Sequence, residues 1–180
     1  DYHHTIEAYF EAKASLFTRG LSQYAVVNAD DPWGRTLLAR IREQGIPVLT
    51  TGFAEACDVR IVQWTPSRHG GAQIDVRLPD GRPLSVEIDL PGEFNVRNAV
   101  TAMAMILAAG FDLDAALPGI SRAQIPGRMQ LVPLPGGPRV YVDFAHTPQA
   151  ISSSLAAVSG RVITVLGAGG DRDQTKRLPM

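Results

Sequence analysis

Only one cysteine, Cys57, occurs among 180 residues. That excludes a disulfide framework within the chain, and a lone thiol fits a reducing cytoplasm. An excess of one charge is also missing. Seventeen Lys and Arg face 18 Asp and Glu, a formal net charge of −1. No basic field points to nucleic acid, and no polybasic run points to a membrane surface. Long apolar runs are absent too. AVTAMAMILAAGF, at 99–111, is too short to span a bilayer and reads as a buried helix. No charged-then-apolar leader opens the chain, and both ends are expected to be cut from a longer protein. Nor does a G-x-x-x-x-G-K-[ST] phosphate loop occur anywhere.

What is present suits a packed α/β protein, with 45% hydrophobic residues. Ile6, Tyr9, Phe10, Leu16 and Phe17 form the apolar stripe of a helix expected over 5–18, stopped by Gly20. A strand is expected over 24–28. Pro32 then opens a helix reaching 44, with Leu37, Leu38 and Ile41 inward and Gly45 as its stop. IPVLTTG reads as a second strand. This α-β-α-β order with short links predicts a parallel sheet covered by helices.

The middle of the chain changes character. VRIVQW reads as a strand. AQIDVRL alternates, with Ile74, Val76 and Leu78 on one face and Gln73, Asp75 and Arg77 on the other. After the Pro79-Asp80-Gly81 turn, PLSVEIDL alternates back, with Leu84, Val86, Ile88 and Leu90 inward. An antiparallel hairpin with one wet face is predicted. A helix follows, with Ala99, Ala102, Met103, Ile106 and Leu107 as its apolar face, then a shorter one to about 123. A Pro- and Gly-rich stretch places a domain boundary at Pro126-Gly127, dividing the chain into 1–126 and 127–180. Beyond it, RVYVDFAHTP, PQAISSSLAAV and RVITVL predict a βαβ unit, its last strand buried, running into the glycine-rich loop GAGGDRD.

Lys13 falls inside the first helix's apolar stripe. One reading is a snorkelling side chain, with methylenes on apolar surface and the ammonium in water. The other is a buried amine with a depressed pKa, able to take up carbon dioxide as a carbamate and so become a hard oxygen ligand suited to Mg²⁺. His3 and His4 read as solvated polar surface. NADDP, at 28–32, lies beyond a strand end, where open sheets bind ligands. It is also a good turn and helix cap, and capping is the expected role. Asn95 and Asn98 lie three apart in a first helical turn, on one side of it, as caps or as readers of a purine edge. Arg128 stands at the boundary. Asp143 and His146 close a strand. Gly167, Gly169 and Gly170 would let backbone approach a ligand, although Arg172 stands where a dinucleotide fingerprint needs glycine.

Taken in order, D-Y-H…E-A-Y-F-E-A-K…L-F, V-V-N-A-D-D-P, G-E-F-N-V-R-N-A, P-G-R-M, V-D-F-A-H-T-P and G-G-D-R-D resemble the Mur ligases over nearly the whole chain. V-D-F-A-H-T-P and G-G-D-R-D point to the tripeptide-forming branch. The resemblance implies the later part of a central ATPase domain, a mixed sheet with helices and an antiparallel hairpin. It also implies the start of a Rossmann-like C-terminal domain. The implied activity is ATP-dependent amide-bond formation in peptidoglycan (cell wall) synthesis. A third amino acid would join UDP-N-acetylmuramoyl-L-Ala-D-Glu through an acyl phosphate.

The implied cofactors are ATP and Mg²⁺, with a UDP-N-acetylmuramoyl dipeptide and a free amino acid as substrates. A cytoplasmic monomer that engages neither nucleic acid nor membrane follows. By the same resemblance Lys13 is carbamylated, catalytic and a Mg²⁺ ligand, and Asn95 and Asn98 lie by adenine. Arg128 and Asp143 lie by ribose and phosphates, and catalytic His146 faces the phosphates. Arg172, flanked by Asp171 and Asp173, binds substrate. The family's P-loop, UDP-binding domain and metal-binding histidine are expected upstream of Asp1, so His3 and His4 do not inherit that histidine's role. Without the P-loop, this stretch alone is expected to hydrolyse no ATP. Gln174-Thr175 and Arg177-Leu178-Pro179 depart from the family pattern. A folylpolyglutamate- or cyanophycin-type ligase and a non-catalytic nucleotide-binding module are the alternatives.

Overall fold

The computed structural model describes His3, residues 5–167 and Pro179. The elements in order are α1 (Ile6–Ala14), β1 (Ala25–Asn28), α2 (Pro32–Glu43), β2 (Val48–Gly52), β3 (Val59–Pro66), β4 (Ala72–Arg77) and β5 (Pro83–Ile88). There follow α3 (Glu93–Ala108), α4 (Leu113–Ser121), β6 (Gln130–Val132), β7 (Val140–Val142) and α5 (Pro148–Ala156).

The main sheet has five strands in the order β1-β2-β3-β4-β5. β1, β2 and β3 run parallel, whereas β3–β4 and β4–β5 are antiparallel. The switch follows the connections: α2 carries the chain from β1 back to β2, while tight turns join β3, β4 and β5. β1 is covered on both faces, as buried parallel strands are. Ala25 and Val27 pack with Ile41 and Ile46 beneath α2, while Val26 faces the main core under α3. β4 and β5 alternate, with Ile74, Val76, Val86 and Ile88 buried and Asp75, Ser85 and Glu87 outside. α3 closes the core from above. Its fully buried residues are Val96, Val100, Met103 and Ala104, so its inward face is rotated from the expected stripe, and Ala99, Ile106 and Leu107 lie only at its margin.

Three expectations are corrected. First, α1 stops at Ala14, and turns replace the last four residues of the expected helix. Of the stripe only Phe10 is buried; Ile6, Tyr9 and Leu16 are exposed. α1 meets the rest of the molecule on one narrow line, through Phe10 against Trp33 and through the Glu11–Arg40 pair. Second, a short strand, β6, forms inside the Pro- and Gly-rich stretch and pairs antiparallel with β7. Third, residues 162–166 form no strand. Val162, Ile163, Val165 and Leu166 are exposed and pair with no described strand. Among the described residues, no helix is long and apolar enough to cross a membrane.

Candidate functional site

Two groups of side chains sit where the chain leaves its sheets. The first lies beyond the carboxyl ends of β1 and β2. Asp31 caps α2, accepting from the amides of Trp33 at 2.8 Å and Gly34 at 3.1 Å, which is the capping role expected of NADDP. Asp30 does something else. Its carboxylate accepts from the Phe53 amide at 2.9 Å and from the Arg97 guanidinium. Arg97 also binds Glu93, one turn earlier on α3, at 2.8 Å, and its guanidinium carbon lies 4.8 Å from the Phe53 ring centre. Burial opposes the charge on Arg97, but the bonds to Glu93 and Asp30 outweigh it and raise its pKa. The space is tight: a Cβ on Gly52 would lie 2.5 Å from Asp30 Oδ1.

The asparagines do not act as a matched pair. Asn95 is 4% exposed, and its amide donates to the Pro91 carbonyl at 2.8 Å. Asn98 is exposed, and its side chain bonds no described residue. Three residues advance a helix by most of a turn, enough to bring one side chain to the buried margin and leave the other in water. The expectation of two free amides on one face is corrected accordingly. Asn95 clasps the loop before α3 through its amide nitrogen, and Asn98 is the more open of the two.

The second group joins the P-G-R-M turn to the D-F-A-H stretch after β7. Asp143 accepts from the Met129 amide at 3.0 Å and from the Ser154 hydroxyl at 2.6 Å. Both of its oxygens are thus committed inside the protein, where they join the turn, β7 and α5. Met129 is buried with φ +45°, an unusual conformation for a residue with a side chain, and Asp143 holds its amide there. Phe144, next along, is exposed. The Arg128 guanidinium carbon stands 5.0 Å from its ring centre. The His146 ring meets Phe144 edge-on at 5.1 Å, and its Nδ1 lies 3.0 Å from the Phe144 carbonyl. The carbonyl accepts, so Nδ1 carries the proton in the neutral ring and Nε2 keeps its lone pair. Arg128, Phe144 and His146 form one exposed row, a cation and an imidazole held on an aromatic plate. An open cavity of about 650 Å³ lies beside it, bordered by Met129, Asp143, Ile151, Ser154 and Ile163. Arg128 and His146 do not line that cavity.

Lys13 is placed differently from the buried-amine expectation. It is exposed, with Nζ 5.2 Å from the Tyr9 ring centre, because α1 turns only the Phe10 side to the protein. Among the described residues, no group of three or more His, Cys, Asp or Glu is placed to hold a metal ion. His4, Gly169, Gly170, Asp171, Arg172, Asp173 and Gln174-Thr175 lie outside the described residues. Sequence reasoning missed two features, the Asp30–Arg97 pair and the Phe144 plate. The i, i+4 spacing of Glu93 and Arg97 was a visible signal, but nothing in the sequence placed Asp30 beside them.

The sequence matches the Mur ligase middle domain over residues 1–106 and the Mur ligase glutamate ligase domain over 127–180. It is similar to the UDP-N-acetylmuramoyl-L-alanyl-D-glutamate–2,6-diaminopimelate ligase of Corynebacterium efficiens, at 38% identity over the whole chain and 35% of the relative. The enzyme of the same name from Gloeobacter violaceus is 40% identical over the whole chain and 37% of its own length. A solved structure of such a ligase superposes with a TM-score of 0.73, at 34% identity over 99% of this chain and 38% of that one. Mycobacterium tuberculosis folylpolyglutamate synthase, at 24% identity over 87% of this chain and 36% of its own, shares the fold with a TM-score of 0.68. The chain thus spans little more than a third of the length of these relatives.

Proposed function

Because the chain belongs to the Mur ligase family, we propose that it works within an ATP-dependent ligase that adds the third amino acid to UDP-N-acetylmuramoyl-L-Ala-D-Glu. The diaminopimelate ligases at 35–40% identity across essentially the whole chain favour 2,6-diaminopimelate as that amino acid. The proposed setting is a cytoplasmic monomer acting in peptidoglycan synthesis.

The observation that carries the reading is the row of Arg128, Phe144 and His146, built from the P-G-R-M and D-F-A-H stretches and open to solvent. When bound, ATP supplies the phosphoryl group that turns the D-glutamate carboxylate into an acyl phosphate, from which the incoming amine displaces phosphate. Arg128 offers a planar fork of donors to phosphate or ribose oxygens. His146 offers Nε2, a group that accepts or, once protonated, donates at an anionic oxygen. Asp143 holds the row in place through Met129 and Ser154 and need not touch nucleotide itself. Asn98 offers an amide that both donates and accepts, the pattern a purine edge requires.

The described residues alone do not fit Mg²⁺. Asp30 and Glu93 are paired with Arg97, Asp143 is committed internally, and Lys13 is exposed. Lys13 as a carbamate ligand stays within the proposal on the family resemblance alone. It requires further groups to cover the amine.

The test is an assay of the full-length protein with ATP, the UDP-linked dipeptide and either diaminopimelate or lysine. Phosphate release that depends on diaminopimelate and falls by about 10²-fold or more in His146→Ala supports the reading. A full-length protein that releases no phosphate with either amino acid overturns it. Lys13→Ala that regains activity when a short-chain carboxylic acid is added would support the carbamate.

A further inference from the structure

α3 starts without a side-chain N-cap. Its N-cap is Gly92, which has no side chain to accept from the amides of the first turn. Asn95 holds this turn from within through its bond to the Pro91 carbonyl, and the turn leads directly to Asn98. Arg97 is the neighbouring side chain, and it binds partners on both sides of the junction. On α3 it holds Glu93 through Nε at 3.1 Å and Nη2 at 2.8 Å. Across the junction it reaches Asp30, just beyond β1, and lies over Phe53, just beyond β2. Asp30 is itself fixed by the Phe53 amide at 2.9 Å. The side chains of Arg97 and Asp30 are 28% and 20% exposed, so water screens this pair less than it screens the Glu11–Arg40 pair on the open surface.

We infer that Arg97 is a positioning residue for nucleotide recognition. It ties the first turn of α3 to the carboxyl ends of β1 and β2 and so fixes the place of Asn98. The inference rests on the reading of Asn98 as the purine contact and extends it to a residue that touches no ligand. A fork is needed for this task, because Arg97 engages two carboxylates and one aromatic face at once. Lysine offers one charged point and cannot span all three.

The test compares the full-length wild type with Arg97→Ala, Arg97→Lys, Asp30→Asn and Asn98→Ala, using ATP and GTP. A displaced hydrogen-bonding group costs about tenfold in affinity. Arg97→Ala and Asp30→Asn are therefore expected to raise KM for ATP about tenfold and shrink the preference for ATP over GTP similarly. Their kcat and the KM for the UDP-linked substrate should hardly change, and Arg97→Lys should recover only part of the loss. An unaltered ATP preference in both Arg97→Ala and Asp30→Asn, with Asn98→Ala impaired, overturns the positioning role alone. An Asn98→Ala protein with wild-type ATP preference removes the reading beneath it, and the inference falls with it. Should Arg97→Ala fail to fold, Asp30→Asn decides, since it removes one charge and keeps the side chain's shape.

Discussion

The Met129 amide donates to the Asp143 carboxylate at 3.0 Å, joining residues 14 positions apart across the β6–β7 hairpin. The same carboxylate holds Ser154 on α5. One side chain thereby fixes a turn with positive φ, a strand and a helix. Asp143→Ala would leave the Met129 amide and the Ser154 hydroxyl without their acceptor. A loss of about 1–3 kcal/mol of unfolding free energy is expected, measurable by urea denaturation. Asp143→Asn keeps one acceptor and should lose less. Equal stability of all three proteins would show that the clasp does not hold the turn.

Gly52 is predicted to tolerate no side chain. Its φ is +153°, and an added Cβ would meet the Asp30 carboxylate at 2.5 Å. Gly52→Ala should cost roughly 1–3 kcal/mol in strain and displaced ion pairing. The thermal midpoint reads this directly. An unchanged midpoint would mean that Asp30 moves aside freely, and the rigidity assigned to the Asp30–Arg97 pair would go with it.

Cys57 should react slowly. Burial pushes its thiol pKa up, and the charge of Asp30 adds to the effect. The thiolate is the nucleophile, so iodoacetamide at pH 8 should alkylate Cys57 more slowly than a free thiol. The rate-against-pH curve should be displaced to higher pH. The sign for folding follows from the raised folded-state pKa. The thiol favours the folded chain below its unfolded pKa, and that contribution is lost as pH rises through the folded one. A midpoint at or below that of free cysteine would contradict the buried placement.

Periodicity made much of the fold legible. The alternation in AQIDVRL and PLSVEIDL gave β4 and β5 with the correct faces inward, because a half-wet antiparallel strand writes its burial into every second residue. Asp31 was legible as a cap for an equally local reason. α1 was not. Its stripe looks like a core face, but burial depends on what packs against it, and here only Phe10 finds partners. RVITVL has the composition of a buried strand and lacks a ladder among the described residues. In the site, P-G-R-M and D-F-A-H could be named from the sequence, but the contact between Arg128 and Phe144 joins positions far apart in the chain. Asn95 shows the same limit: its residue type suggested a ligand, and its depth assigns its amide to Pro91.

Gly92 has one further consequence. A methyl group built there would come within 2.7 Å of the Ala157 side chain, at the end of α5. The end of α5, opposite to the end that follows His146, therefore abuts the start of α3. An increase in bulk at 92 would have to be matched by a retreat at 157.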